Sequence, residues 1–150
     1  MNNKLYLAYG SNLNLEQMAV RCPTAMVVGK TRLKNWQLLF RGPHTGGVAT
    51  IEPQKGGNVP VLVWEITPTD EAALDQYEGF PFLYHKEKLK IRLNGKQVNA
   101  MIYLMNDGRP LGTPNCYYYS TILEGYKAAG FDVEILRTAV KNSAEVTEDE

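Results

Sequence analysis

Cysteine and histidine are scarce in this chain, two of each in 150 residues, and that scarcity removes whole classes of chemistry. Cys22 and Cys116 stand far apart, with no Cys-x-x-Cys pair and no histidine at metal-ligand spacing. Neither a disulfide framework nor a zinc site is supported, and no metal or cofactor is expected. Net charge is also missing. Sixteen basic residues offset sixteen acidic ones, without a basic run longer than a couple of residues, so the electrostatic footprint that phosphate backbones demand is lacking and nucleic acid is not an expected partner. No stretch approaches the roughly eighteen consecutive apolar residues of a bilayer span, and no extended apolar segment precedes Gly10. The expectation is a soluble, cytoplasmic protein without a membrane partner. What the chain does have is apolar content, 44% hydrophobic residues, enough for one continuous core. A single domain over residues 1–150 is expected, with a polar, acidic tail fraying over Ser143 to Glu150.

Punctuation by glycine, proline and asparagine divides the rest. Lys4 to Tyr9 reads as a short strand stopping at Gly10, where Gly-Ser-Asn supplies turn chemistry. Asn14 and Gln17 have the spacing of a helix cap for a helix through Arg21, just before Pro23. Strands are expected over Ala25 to Leu33, Trp36 to Phe40, Val48 to Ile51 and Val59 to Ile66, with the segments RGPHTGG and KGGN as turns. Thr67-Pro68 with Asp70 and Glu71 marks a helix start, and Gly79 with Pro81 a stop, which places one short helix ending near Glu78. Leu83 to Leu93 and Gln97 to Met105 form a hairpin about a type I′ turn at Asn94-Gly95. After a loop from Asn106 to Asn115, helices follow over Cys116 to Ala129, ending at Gly130, and from an Asp132 cap to about Lys141. Strands without a strict βαβ rhythm imply an α+β fold with a strongly curved, mostly antiparallel sheet.

Few residues offer themselves for chemistry. Glu78 lies at a helix C-terminus, where the negative end of the dipole disfavours a carboxylate. Dipole and partial desolvation would both raise its pKa, as suits a general base near neutral pH; spacing alone favours a solvated surface carboxylate. Tyr9-Gly10-Ser11-Asn12, between a strand and a helix, can present backbone N–H groups to a carboxylate or oxyanion, or can simply be a turn. Its glycine spacing matches neither a dinucleotide loop nor a P-loop. Of Tyr117, Tyr118 and Tyr119, one or two must face inward as core or as pocket phenols. No spacing connects His44 or His85 to a cysteine, so a nucleophilic thiol has no assigned base.

These features coincide, in order, with one known pattern. LYLAYGSNLN from Leu5, RCP at Arg21 to Pro23, VLVWEIT at Val61 to Thr67, ALDQYEGFPFLY at Ala73 to Tyr84 and the P-x-x-x-Y of Pro114 to Tyr118 together resemble the γ-glutamylcyclotransferase-like family, including its small bacterial members. The resemblance spans Leu5 to about Gly130. It implies a small, partly closed, mostly antiparallel β-barrel with flanking helices. It also implies a γ-glutamyl compound as small-molecule substrate, held by the loop from Tyr6 and Tyr9 through Gly10, Ser11 and Asn12, with Glu78 as acid/base and with Tyr84 and Tyr118 lining the pocket. The family often has Pro-Ser where this chain has Pro114-Asn115. The implied reaction is closure of 5-oxoproline by the substrate's own α-amino group, without an enzyme nucleophile. Two alternatives stay open: a module that binds the γ-glutamyl group without turnover, and an enzyme acting on γ-glutamylamines or a biosynthetic γ-glutamyl intermediate. Arg41 and Arg109 are candidates for pairing with a substrate carboxylate, although solvated surface charge is the commoner role.

Overall fold

The computed structural model describes residues 2–144, in the order β1 (Lys4–Ala8), a 3-10 turn (Ser11–Leu13), α1 (Leu15–Arg21), β2 (Met26–Arg41), β3 (Val48–Ile66), α2 (Pro68–Glu78), β4 (Tyr84–Leu93), β5 (Lys96–Met105), α3 (Cys116–Ala129) and α4 (Val133–Ala144). The five strands make one sheet in the order β2-β3-β1-β5-β4, antiparallel everywhere except where β1 meets β5. Short, apolar β1 sits at its centre, with Leu7 and Ala8 fully buried. It stops at Ala8 while β3 and β5 run on, so the sheet opens past its carboxyl end. Side chains span that opening: the Tyr9 hydroxyl donates to the Tyr103 carbonyl at 2.6 Å, and the Met105 N–H donates to Thr50 Oγ1 at 3.1 Å.

The edge strands curl toward each other. Gly29 of β2 lacks a side chain where an added Cβ would stand 2.6 Å from Leu93 Cδ1 of β4, so the two edges touch although they are not paired. The result is the expected α+β fold with a mostly antiparallel, partly closed sheet. Among the described residues no helix is long and apolar enough to cross a membrane.

Two expectations need correction. The strands expected on either side of Asn35 are one strand, β2, and KGGN does not turn the chain. Lys34 pairs with Asn58 and Trp36 with Pro53, so residues 54–57 form a bulge opposite Asn35, whose φ is 70° and whose Oδ1 accepts the Gly56 N–H at 3.0 Å. Gly-Gly-Asn permits the bulge, and pairing on both sides carries the strand through it. The frayed tail does not begin at Ser143 either. That residue is buried in α4, and its hydroxyl donates to the Ala139 carbonyl at 2.7 Å and accepts the Phe40 N–H at 2.8 Å. The remainder of the expected tail, 145–150, lies outside the described residues.

The helices that frame the site form for local reasons. Thr67 Oγ1 accepts the Asp70 N–H at 3.2 Å while Asp70 Oδ2 accepts the Thr67 N–H at 3.0 Å, a reciprocal cap worth about 1 kcal/mol. With Pro68 at the first position and left-handed Gly79 (φ 66°) past the last, α2 has defined ends and delivers Glu78 at its final residue. Asn14 caps α1 through the Gln17 N–H at 3.1 Å, and its Nδ2 donates to the Thr121 carbonyl and to Glu124 Oε1, each at 3.0 Å. That buried amide fastens the loop after β1 to α3.

Candidate active site

A cavity of about 270 Å³ opens where β1 ends. Tyr6, Tyr9, Gly10, Ser11 and Asn12 supply its floor, and Glu78 enters from the end of α2. Tyr84 comes from β4 and Tyr118 from α3, so all eight residues singled out from the sequence line one cavity. At Pro114-Asn115 the departure from the family pattern is harmless to the helix, because Asn115 Oδ1 accepts the Tyr118 N–H at 2.8 Å and caps α3 as a serine would.

Among the described residues, most polar groups around the cavity are already engaged, and two exceptions stand out. Asn12 Nδ2 donates to the Tyr6 hydroxyl at 2.8 Å, the Asn12 carbonyl accepts the Trp64 indole N–H at 3.2 Å, and Ser11 Oγ shares a 2.8 Å hydrogen bond with the Tyr77 hydroxyl. Tyr84 donates to the Ala49 carbonyl at 2.5 Å, and Tyr118 accepts the Ala49 N–H at 3.0 Å. Burial holds the phenols of Tyr6, Tyr9, Tyr84, Tyr103 and Tyr118 well above their ordinary range, so they act as neutral hydrogen-bonding groups near pH 7.

The first exception is Glu78. No group among the described residues hydrogen-bonds its carboxyl; desolvation pushes its pKa up to about 7, against a smaller downward pull from the Arg21 guanidinium. Although the residue keeps part of its surface in contact with solvent, its carboxyl lies against the cavity wall, and desolvation of that group governs its protonation. The second exception is a pair of backbone donors. The 3-10 turn uses the N–H groups of Leu13 and Asn14, bonded to the Gly10 and Ser11 carbonyls at 3.0 Å, and leaves those of Ser11 and Asn12 without an acceptor among the described residues. A desolvated carboxyl that can change protonation near neutral pH therefore shares a small cavity with two residues whose backbone N–H groups have no acceptor among the described residues.

Other candidates lie elsewhere. Arg41 is bound to Glu52 through Nε, at 2.5 Å, and through Nη2, while its Nη1 donates to the Arg109 carbonyl at 2.9 Å; neither arginine lines the cavity. His44 is exposed on the 42–47 loop, and His85 binds Asn106 and Glu87 outside the cavity. The Cys22 thiol is buried, donates to the Asp70 carbonyl at 3.6 Å and has its pKa pushed up to about 11 by burial, unsuited to thiolate chemistry. Among the described residues, no group of three or more His, Cys, Asp or Glu is arranged to hold a metal ion.

Three contributors were not singled out from the sequence. Tyr103 of β5 lines the cavity, held from behind by its 2.5 Å hydrogen bond to Asp75 Oδ1. Every residue from Ala100 to Met105 is buried, so alternation could not show which phenol points inward. Tyr77 also lines the cavity, and Arg21 stacks on its ring, the guanidinium carbon 3.5 Å from the centroid. The one sequence signal for that pair was the placement of each inside a segment of the family pattern.

The partly closed α+β barrel thus sets one carboxyl, without a hydrogen-bond partner among the described residues, in the same cavity as a glycine-bearing turn at the end of its central strand. Residues 6–121 match the family described as "Gamma-glutamyl cyclotransferase, AIG2-like". Over 139 aligned residues the chain is 32% identical to the gamma-glutamylcyclotransferase of Mus musculus and 31% identical to that of Homo sapiens, in each case covering 87% of this chain and 73% of the relative. A solved gamma-glutamyl cyclotransferase superposes with a TM-score of 0.78 at 30% identity, covering 92% of this chain and 86% of that one. The chain belongs to the gamma-glutamyl cyclotransferase, AIG2-like family.

Proposed function

We propose that this chain is a cyclotransferase that closes 5-oxoproline from a γ-glutamyl compound and releases the attached amine. In this reading the α-amino nitrogen of the substrate attacks its own γ-carbonyl carbon. A C–N bond forms to close the five-membered ring and the bond to the departing nitrogen breaks; the ammonium loses two protons in becoming the ring N–H, and the departing nitrogen gains two in leaving as an ammonium ion. Glu78 relays these protons one at a time, as base and then as acid, a role typically worth about 10²–10⁴-fold in rate. The free N–H groups of Ser11 and Asn12 hold the substrate carboxylate or the oxyanion that develops on the γ-carbonyl. Holding the flexible γ-glutamyl chain curled supplies the rest, because ring closure is limited by orientation. The step as written invokes no cofactor and no enzyme nucleophile.

The observation that carries this reading is the unpartnered Glu78 carboxyl, with its pKa pushed up to about 7 by desolvation. A purely structural carboxylate in such a place would cost stability without return, whereas a group that must accept and then return a proton works best with a pKa near the operating pH. The relatives' names supply the γ-glutamyl group as substrate class. The test is to incubate the purified protein with a panel of γ-glutamyl dipeptides and γ-glutamylamines and to follow 5-oxoproline by mass spectrometry. Release from at least one member is expected, and the productive members identify the leaving-group class. Calorimetric binding of panel members with no 5-oxoproline from any of them would contradict turnover and leave a binding module.

A further inference from the structure

Four side chains close a ring at the mouth of the cavity. Arg21 Nη1 donates to Asn12 Oδ1, the Arg21 guanidinium lies on the Tyr77 ring, and the Tyr77 hydroxyl bonds Ser11 Oγ at 2.8 Å. The backbone bond between Ser11 and Asn12 completes it. Arg21 is itself held, because Nη2 donates to Gln17 Oε1 at 2.9 Å one turn earlier on α1. Asn12 and Ser11 are buried, whereas Tyr77 is 43% exposed, so the ring joins the cavity floor to its outer rim.

The connectivity explains what the ring can do. Ser11 and Asn12 carry the free amide donors, and Tyr77 is covalently joined to Glu78. Tyr77 and Arg21 are therefore a strut between the donor loop and the carboxyl, elements distant in sequence, with Ser11 and Tyr77 standing 66 positions apart. A planar guanidinium suits the task because it can stack and donate in its own plane at once, which a lysine ammonium cannot.

We propose that Arg21 and Tyr77 are positioning residues, a stacked pair that fixes the distance between the Ser11-Asn12 donors and the Glu78 carboxyl. The proposal rests on the cyclotransferase reading for its kinetic consequences and on geometry alone for its structural ones. Arg21 has a second, electrostatic consequence. The titratable groups facing Glu78 are Arg21 from α1 and the phenols of Tyr6, Tyr9, Tyr84, Tyr103 and Tyr118, all of them neutral near pH 7. Arg21 is thus the charge that offsets part of the desolvation of the Glu78 carboxyl, and removing it moves the titration of Glu78 upward.

The test compares Arg21→Gln, Arg21→Lys, Tyr77→Leu and the Gln/Leu double variant in the full chain, using the panel member that the wild type turns over best. Arg21→Gln and Tyr77→Leu are each expected to lower kcat by about 10- to 100-fold, the scale of an ångström-level misplacement, with a smaller change in KM. The double variant is expected to lose little more than the worse single one, because both break the same ring. Arg21→Gln also moves the acid limb of the pH–rate profile upward, whereas Arg21→Lys leaves that limb in place while still losing rate. Hydrogen exchange supplies a readout without turnover: the Leu13 and Asn14 amides, bonded to the Gly10 and Ser11 carbonyls within the turn, exchange faster in each single variant, with the α4 amides unchanged. Wild-type kcat and wild-type exchange in both single variants would overturn the proposal, as would exchange accelerated uniformly across the fold. If the wild type releases no 5-oxoproline from any panel member, the cyclotransferase reading fails, and hydrogen exchange alone decides for or against the strut.

Discussion

Tyr84 and Tyr118 grip opposite ends of one residue: Tyr84 donates to the Ala49 carbonyl at 2.5 Å, while the Ala49 N–H donates to the Tyr118 hydroxyl at 3.0 Å. A strand residue that lines the cavity is thereby pinned from β4 and α3, and both phenols are held facing the space where substrate is expected. The two aromatic positions have a stabilising role independent of any contact with substrate.

Tyr84→Phe leaves a buried carbonyl unsatisfied, and Tyr118→Phe leaves an N–H unsatisfied. Each substitution is expected to cost about 1–3 kcal/mol of stability. Urea unfolding at constant m-value checks it; midpoints equal to wild type would show that water replaces the phenol without loss.

Gly10 faces Ala49, and an added Cβ would stand 3.1 Å from the Ala49 Cβ and 3.7 Å from the Tyr118 hydroxyl. Gly10→Ala is expected to fold, because the contact needs only a few tenths of an ångström of adjustment, yet it narrows the cavity and shifts the donor loop. A fall of about tenfold or more in kcat/KM is expected, with near-native circular dichroism. Unchanged kinetics would place the substrate away from this loop.

In the proposed mechanism, turnover depends on an ionised Glu78. With its pKa raised by desolvation to about 7, kcat/KM is expected to rise with pH through that value and to fall off below it. A profile whose acid limb lies near the ordinary carboxylate range would show that Glu78 is solvated in the working enzyme.

The same shift has a thermodynamic sign. The folded protein holds the Glu78 proton more tightly than the unfolded chain, so this carboxyl contributes its stability at low pH, and that contribution is lost as pH rises from the ordinary carboxylate range through about 7. Glu78→Gln, which never ionises, is therefore expected to be more stable than wild type at pH 8. The gain is about 1–3 kcal/mol, or a few degrees in Tm, and it shrinks toward pH 4. Equal melting temperatures across that range would contradict a desolvated carboxylate.

Features written in local chemistry were legible beforehand. The Thr67 cap and Gly79 stop delimit α2, and Asn94 and Gly95, at φ 53° and 80°, make the expected turn between β4 and β5. Gly-Gly-Asn misled because it encodes a permissive backbone, which reverses a free chain but only bulges one paired on both sides. Ser143 misled for a similar reason: its burial depends on the Phe40 N–H, roughly a hundred positions away in sequence. In the site, the motif loop and Glu78 could be named through the family resemblance that their order and spacing carry. The strut of Arg21 and Tyr77 could not, because stacking between α1 and α2 exists only once the barrel brings the two helices together.

The account turns on whether one carboxyl moves the proton, and the most direct measurement is single-turnover 5-oxoproline formation by Glu78→Gln beside wild type, with ligand affinity taken by calorimetry on the same samples. The expected result is native-like binding with formation slowed by about 10²–10⁴-fold. A variant that binds and closes the ring at the wild-type rate would contradict the account.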